Sequence, residues 1–328
     1  MEKITMIGFG SWGIAMACLF EKNGHSVTMF EPNAPLAELL HQTRENERSL
    51  PGITIPQNIK ITSQIDEAVC GDILVVALSS KAIPDVMPQI APLLRKGQII
   101  VNASKGLIEK GQMRITEYLQ ELAPQCKIAC LSGPSHAEEV SRFMPTFIVA
   151  ASECEPTANR LQDAFSGDAF RVYTSTDLIG VELGGVLKNV IALAAGISDG
   201  LGFGDNTKAG LMTRGIAEIS RLGVAMGANE ATFAGLSGIG DLIVTCTSKH
   251  SRNWRGGNLL AQGKSATEVL AEVNMAVEGI NTAKSVLELA RKHNVDMPIV
   301  EEVNKILFEG KDPRIAVTDL MQRRKAKE

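Results

Sequence analysis

The chain has 328 residues, 45% of them hydrophobic and 21% charged, which is apolar material for a large core and length for about two domains. A formal net charge of -4 with only 4% aromatic residues excludes the basic, ring-studded surface of a nucleic-acid binder. No apolar run near the ~20 residues of a membrane span stands out, and Met1-Glu2-Lys3-Ile4 leads straight into a strand pattern without a signal-peptide core, so the reading is a cytoplasmic globular protein with no integral membrane contact. The basic tail from Arg323 to Lys327 reads as a solvated end.

Ile4 to Ile7 is a short apolar run that ends in Gly8-Phe9-Gly10-Ser11-Trp12-Gly13 and continues into the helical pattern of Ala15 to Phe20. The helix stops near Asn23-Gly24, and Ser26 to Phe30 forms a second strand closing on Glu31. Strand, glycine turn, helix and strand, with an acidic residue 18 positions after Gly13, make up the full dinucleotide fingerprint and predict NAD or NADP as cofactor. Gly8 permits the tight turn, Gly10 lets a pyrophosphate approach the backbone, and Gly13 lets helix and strand pack closely. The phosphates then lie against the helix N-terminus, whose unpaired amides favour anions.

Strand patterns continue at Ile73 to Ala77, Ile99 to Asn102, Ile128 to Leu131, Phe147 to Ala150 and Phe170 to Tyr173, with helical patterns between most of them. This alternation predicts an α/β fold with a doubly wound, mostly parallel, Rossmann-like sheet over residues 1–176. Ligands of such sheets bind beyond the strand C-termini, which draws attention to the loops Ser104-Lys105-Gly106 and Ser132-Gly133-Pro134-Ser135. From about Asp177 the pattern turns helical, and residues 177–328 read as an all-helical second domain that holds the substrate. Six cysteines, at 18, 70, 126, 130, 154 and 246, show no metal-ligand spacing, so no metal site is expected.

Within the helical half, Val181 to Lys208 carries the longest helix-like apolar pattern, interrupted by Lys188 and Asn189. Gly184, Gly185, Ala192 and Ala195 suggest open space beside that lysine for another group. Hydride transfer to a carbonyl needs a held nicotinamide, a proton donor for the oxygen and groups that fix the substrate. Lys188 suits the proton transfer, Asp241 and Asn189 suit its orientation, and Arg252 with Asn253, next to Ser251, suits an anionic substrate end.

The chain resembles the bacterial NAD(P)-dependent glycerol-3-phosphate dehydrogenases over nearly its whole length. The matching stretches are the fingerprint, Ser104-Lys105-Gly106, Gly133 to Ser135 with Ala137-Glu138-Glu139, Glu182 to Gly185 with Leu187 to Val190, Gly202 to Lys208, Gly240-Asp241-Leu242, Ser251-Arg252-Asn253 and Val277-Glu278-Gly279. The resemblance implies interconversion of dihydroxyacetone phosphate and sn-glycerol 3-phosphate, feeding phospholipid synthesis, in a homodimer. It implies Lys188 as proton acceptor in the oxidation, and Lys105, Gly133, Ser135, Asp241, Ser251, Arg252 and Asn253 as substrate contacts. Ser11, Trp12, Lys105, Ala137, Arg252, Ala276 and Glu278 would contact the cofactor.

Three positions depart from that pattern. Just beyond the second strand the chain reads Phe30-Glu31-Pro32-Asn33, with no Lys or Arg before Arg44, where NADPH-preferring relatives carry Arg or His. A carboxylate at Glu31 accepts from both ribose hydroxyls of NADH and repels a 2′-phosphate by roughly 4 kcal/mol per charge pair at ~4 Å, an upper figure. His136 stands where Phe is common, and Trp254 where a basic residue is common. Two other readings compete: a 3-hydroxy-acid dehydrogenase of the same architecture, opposed by Lys105 and Ser251-Arg252-Asn253, and a non-catalytic nucleotide sensor, opposed by the joint presence of Lys105, Lys188, Asp241 and Arg252.

Overall fold

In the computed structural model, which describes residues 1–108 and 113–324, the chain divides into two units, Met1–Glu182 and Leu183–Glu328. The end of the basic tail, Lys325 to Lys327, lies outside the described residues.

The first unit runs β1 (Lys3–Ile7), α1 (Ser11–Lys22), β2 (Ser26–Phe30), α2 (Ala34–Thr43), β3 (Lys60–Thr62), α3 (Ile65–Ala68), β4 (Ile73–Val76), α4 (Ile83–Ile90), β5 (Ile99–Asn102), β6 (Leu107–Ile108), β7 (Met113–Arg114), α5 (Ile115–Leu122), β8 (Lys127–Ser132), α6 (Ala137–Val140), β9 (Thr146–Ala151), α7 (Glu155–Phe165) and β10 (Phe170–Ser175). Every residue of β4 and β5 is buried, as expected of strands covered on both faces, and this is why they read as unbroken apolar runs. Eight strands form one sheet in the order β10-β9-β8-β5-β4-β1-β2-β3. The order reverses at β1, between β2 and β4, which sets the glycine turn at a switch point. Pairing in this sheet is parallel except between β8 and β9, because their connection contains only the four-residue α6 and no full crossover helix. Phe20 stacks on Phe165 at 4.4 Å, tying α1 to α7. Three-residue β3 and the two-residue strands β6 and β7 are too short to show a period in the sequence.

The remaining α-helices are α8 (Leu178–Gly200), α9 (Asp205–Ala225), α10 (Asp241–Thr247), α11 (Arg252–Ala261), α12 (Ala266–Val273), α13 (Glu278–Lys292), α14 (Pro298–Glu309) and α15 (Pro313–Met321). Helix α8 starts where Asp177 accepts the Gly180 amide at 2.9 Å, a side-chain N-cap. It corrects one expectation from the sequence, since its 23 residues are long and apolar enough to cross a membrane. Most of that apolar surface is buried inside the protein, so α8 is a core helix. Helix α9 begins at Asp205 and α13 at Glu278, each with an acidic residue in the first turn that complements the helix dipole.

Two glycines let α8 and α11 touch backbone to backbone. A Cβ on Gly196 would strike the Trp254 carbonyl, and one on Gly257 would strike the Leu193 carbonyl. Elsewhere in this unit Glu218 of α9 holds α14, accepting the amides of Ile299 at 2.9 Å and Val300 at 3.4 Å. Burial pushes the Glu218 carboxyl up from 4.5 to about 7, outweighing those amides and Arg221, while Asp296 adds to the rise.

A folded pKa above the unfolded one means that folding favours the protonated acid. The contribution of Glu218 is therefore fully present below about pH 4.5 and is lost as pH rises through about 7. Relative to the always-neutral Glu218→Gln variant, the parent's unfolding free energy is expected to fall by about 2 to 3 kcal/mol between about pH 5 and pH 8. Urea unfolding of both proteins across that range measures it.

Candidate functional site

The first unit supplies a phosphate cradle and a lysine-bearing loop. Gly8 has φ +115°, and a Cβ there would lie 2.8 Å from the Ala77 carbonyl. A Cβ on Gly13 would collide with the Gly8 carbonyl, whereas one on Gly10 would meet nothing within 4 Å. The first and third glycines are thus required by the chain's own packing, and the second leaves room at the start of α1, which Gly10 caps without a side-chain bond. Ser11 is buried in the first turn of α1, and Trp12 packs partly buried on the core. These residues fit a dinucleotide. Glu31, half-buried just after β2, accepts the Asn33 amide at 3.0 Å; burial raises its carboxyl pKa and that amide opposes the rise.

Lys105 follows β5, and Gly133 to Ala137 follow β8. Gly133 has φ +148°, with the Ile148 backbone 3.1 Å from where a Cβ would sit, and its carbonyl accepts from Ser135 Oγ at 2.9 Å and from Lys105 Nζ at 3.4 Å. Ala137 opens α6, buried. The Lys105 loop also hangs from a buried carboxylate. Glu182 accepts from Asn102 Nδ2 at 3.0 Å, the Thr116 amide at 2.9 Å, the Thr116 hydroxyl and Arg114 at 3.1 Å, while Asn102 Oδ1 accepts the Ser104 amide at 3.0 Å. Burial raises the Glu182 pKa, and Arg114 and Thr116 pull it back.

In the second unit Lys188, only 4% exposed, donates to the Asp241 carboxylate and, at 2.6 Å, to the Thr245 hydroxyl. Thr245 in turn donates to the Asp241 carbonyl at 2.6 Å, one turn back along α10, so its oxygen faces the ammonium as an acceptor. This is a buried amine held in place by an acid and a hydroxyl. Asn189 does not reach that group: its Oδ1 accepts from Asn253 Nδ2 at 2.9 Å, and Asn253 Oδ1 accepts the Gly279 amide at 2.8 Å. Ser251 caps α11 by accepting the Trp254 amide at 3.1 Å, which puts Arg252 and Asn253 in the first turn. Ala276 and Glu278 flank Val277 at the start of α13, beside the Gly279 amide that Asn253 binds.

Gly184, Ala192 and Ala195 do not leave the open space beside Lys188 expected from the sequence. A Cβ on Gly184 would run into the Ser237 carbonyl, and Ala192 and Ala195 are fully buried, so the chain itself fills the space at these three positions. Thr245 is not legible as a site residue in the sequence. Its only signal is its place four residues after Asp241, on the same helical face. Glu182 shows in the sequence as a charge inside an apolar run and as part of a family-matching stretch, with no sign of the loop it holds. Among the described residues no His, Cys, Asp and Glu side chains form a group of three or more able to hold a metal.

The chain matches two halves of one family. Residues 3–158 match the N-terminal part of the NAD-dependent glycerol-3-phosphate dehydrogenases, and residues 177–318 match the C-terminal part. A glycerol-3-phosphate dehydrogenase (NAD(P)+) of Fusobacterium nucleatum is 54% identical over 99% of this chain and 98% of its own length. The enzyme of that name from Bacillus subtilis is 48% identical over 100% and 96%. Among solved structures, glycerol-3-phosphate dehydrogenase from Coxiella burnetii superposes with a TM-score of 0.94 at 35% identity, covering 98% of this chain and 99% of that one.

The burial of Lys188 and Asp241 has a consequence for stability that is separate from any reaction. Lys188→Met or Asp241→Leu alone leaves one charge buried without its partner and is expected to cost about 3 kcal/mol or more. The double substitution is expected to cost less than the sum of the two. Denaturant titration of the three variants tests this.

Proposed function

Because the chain belongs to the NAD-dependent glycerol-3-phosphate dehydrogenase family, we propose that it interconverts dihydroxyacetone phosphate and sn-glycerol 3-phosphate by hydride transfer with NAD(H) or NADP(H). The observation that carries the mechanism is the buried Lys188 ammonium, fixed by Asp241 and Thr245. When bound, the nicotinamide supplies or takes up the hydride. In the reduction Lys188 Nζ gives its proton to the substrate's carbonyl oxygen as that oxygen gains charge, and is left a neutral amine; in the oxidation it takes the hydroxyl proton back. Asp241 stabilises the charged amine and holds its direction. Arg252, Asn253 and Ser251 at the start of α11 hold the phosphate, with Lys105, Gly133 and Ser135 as further substrate contacts. Gly8, Gly10, Ser11, Trp12, Gly13, Glu31, Lys105, Ala137, Arg252, Ala276 and Glu278 hold the cofactor.

NADH is the preferred cofactor in this reading. Glu31, just past the end of β2, holds the place of the acidic residue that accepts ribose hydroxyls in dinucleotide-binding sheets. Arg44, the nearest Lys or Arg after β2, is 7% exposed, and its guanidinium is engaged by the carbonyls of Ile59 at 2.7 Å, His41 at 3.1 Å and Pro56 at 3.3 Å. A 2′-phosphate would therefore meet a carboxylate without help from that arginine. The enzyme works in the cytoplasm as a homodimer and supplies the glycerol backbone of phospholipids.

NADH oxidation is expected with dihydroxyacetone phosphate and to be far slower with dihydroxyacetone or a 3-keto acid; equal rates with the keto acid would favour the 3-hydroxy-acid reading. Lys188→Ala is expected to abolish turnover while NADH still binds, and retained activity would make the lysine structural. For the nucleotide, kcat/KM is expected to be higher with NADH, and an advantage for NADPH of about tenfold would overturn the assignment of Glu31.

A further inference from the structure

Asp199, in the last turn of α8, has a carboxylate oxygen with two donors from different helices. Its Oδ2 accepts the Trp254 Nε1–H at 2.6 Å and the Lys208 ammonium at 2.8 Å. Trp254 follows directly on Arg252-Asn253 in the first turns of α11. The indole is more than apolar filler at this place in the fold. It makes a directional bond to a charged acceptor, the stronger class of hydrogen bond.

The geometry around it explains what that bond controls. Helices α8 and α11 meet through Gly196 and Gly257, backbone against backbone, without interlocking side chains at those two glycines to fix how one helix is turned on the other. Polar pins do that instead. Asn253 reaches Asn189 and Trp254 reaches Asp199. On α8 these two partners are ten residues apart, about 15 Å at the helical rise, whereas Asn253 and Trp254 are consecutive. The first turn of α11 is thus tied to α8 at two separate levels, and Arg252 sits on the turn so held.

We propose that the Asp199–Trp254 bond is a positioning contact that sets the start of α11, and with it Arg252, for the phosphate of the substrate. The proposal rests on the reading of Arg252 as a phosphate ligand. Lys208 balances the charge of Asp199 but does not hold α11. Loss of the indole donor leaves the first turn of α11 with the Asn253 ties to Asn189 and Gly279 but without its tie to the last turn of α8, so recognition of the phosphate suffers while the proton transfer at Lys188 does not.

Dihydroxyacetone, which has no phosphate, separates this role from general damage to the fold. Trp254→Phe is expected to lower kcat/KM for dihydroxyacetone phosphate about tenfold, mostly through KM, and to change kcat/KM for dihydroxyacetone by less than about twofold. Asp199→Ala breaks the same bond from the other side and is expected to give the same selective loss, with the double variant no worse than either single one. Lys208→Met is expected to keep the ratio of the two substrates within about twofold of the parent. An equal loss on both substrates in Trp254→Phe and Asp199→Ala, or a selective loss in Lys208→Met as large as theirs, would overturn the proposal. Arg252→Gln checks the reading beneath it. If Arg252→Gln leaves the substrate ratio unchanged, the assignment of Arg252 has failed; if it changes the ratio while Trp254→Phe does not, only the positioning role has failed.

Discussion

A charged amine removed from water must be given a counter-charge and hydrogen-bond acceptors, and Lys188 meets that demand inside a core helix. Asp241 and Thr245 supply both, from consecutive turns of α10. The demand reaches further than the pair. Helix α10 must present Asp241 toward α8, and Gly184 must stay small so that the chain at Ser237, just ahead of α10, can come against α8. Asn189, next in sequence, then holds Asn253 and through it the first turns of α11 and α13. One buried charge thus accounts for why polar groups, glycines and helix starts gather on this part of α8.

The first unit solves a different problem with the same means. Its glycine turn is shaped by collisions that side chains would cause, at Gly8 with Ala77 and at Gly13 with Gly8, so the cradle is specified by steric exclusion. Its lysine loop is specified by hydrogen bonding. Glu182 gathers Asn102, Arg114 and Thr116 in a site where an unmet donor would be costly, and Asn102 passes that order to Ser104, next to Lys105.

What can be read from the sequence is what local spacing encodes. The fingerprint from Gly8 to Gly13, the apolar strands β4 and β5, and the lysine at 188 are visible because each is defined by residues close in the chain. Contacts between distant segments are not visible. Thr245 acquires its place from the fold of α10 against α8, and Glu182 from β5, β7 and α5, far away in sequence. Asn253 reads as a ligand, yet its amide is also a structural tie between Asn189 and Gly279. The glycines and alanines beside Lys188 read as space because a sequence does not say which segment will fill it. The antiparallel turn at β9 is hidden for a similar reason, since it depends on the shortness of α6.

The strand order has a kinetic side. β1 lies between β2 and β4, and β4 pairs with β5, so the sheet closes only when segments separated by whole crossovers have met. Loop-closure entropy is lost before those pairings return any stability, which makes such a sheet slow to form. In the other unit several helices pack on the helix next in the chain, as α11 does on α12, α13 on α14 and α14 on α15. The sheet is therefore expected to pace refolding of the whole chain, because its strands close longer loops than the helix pairs do.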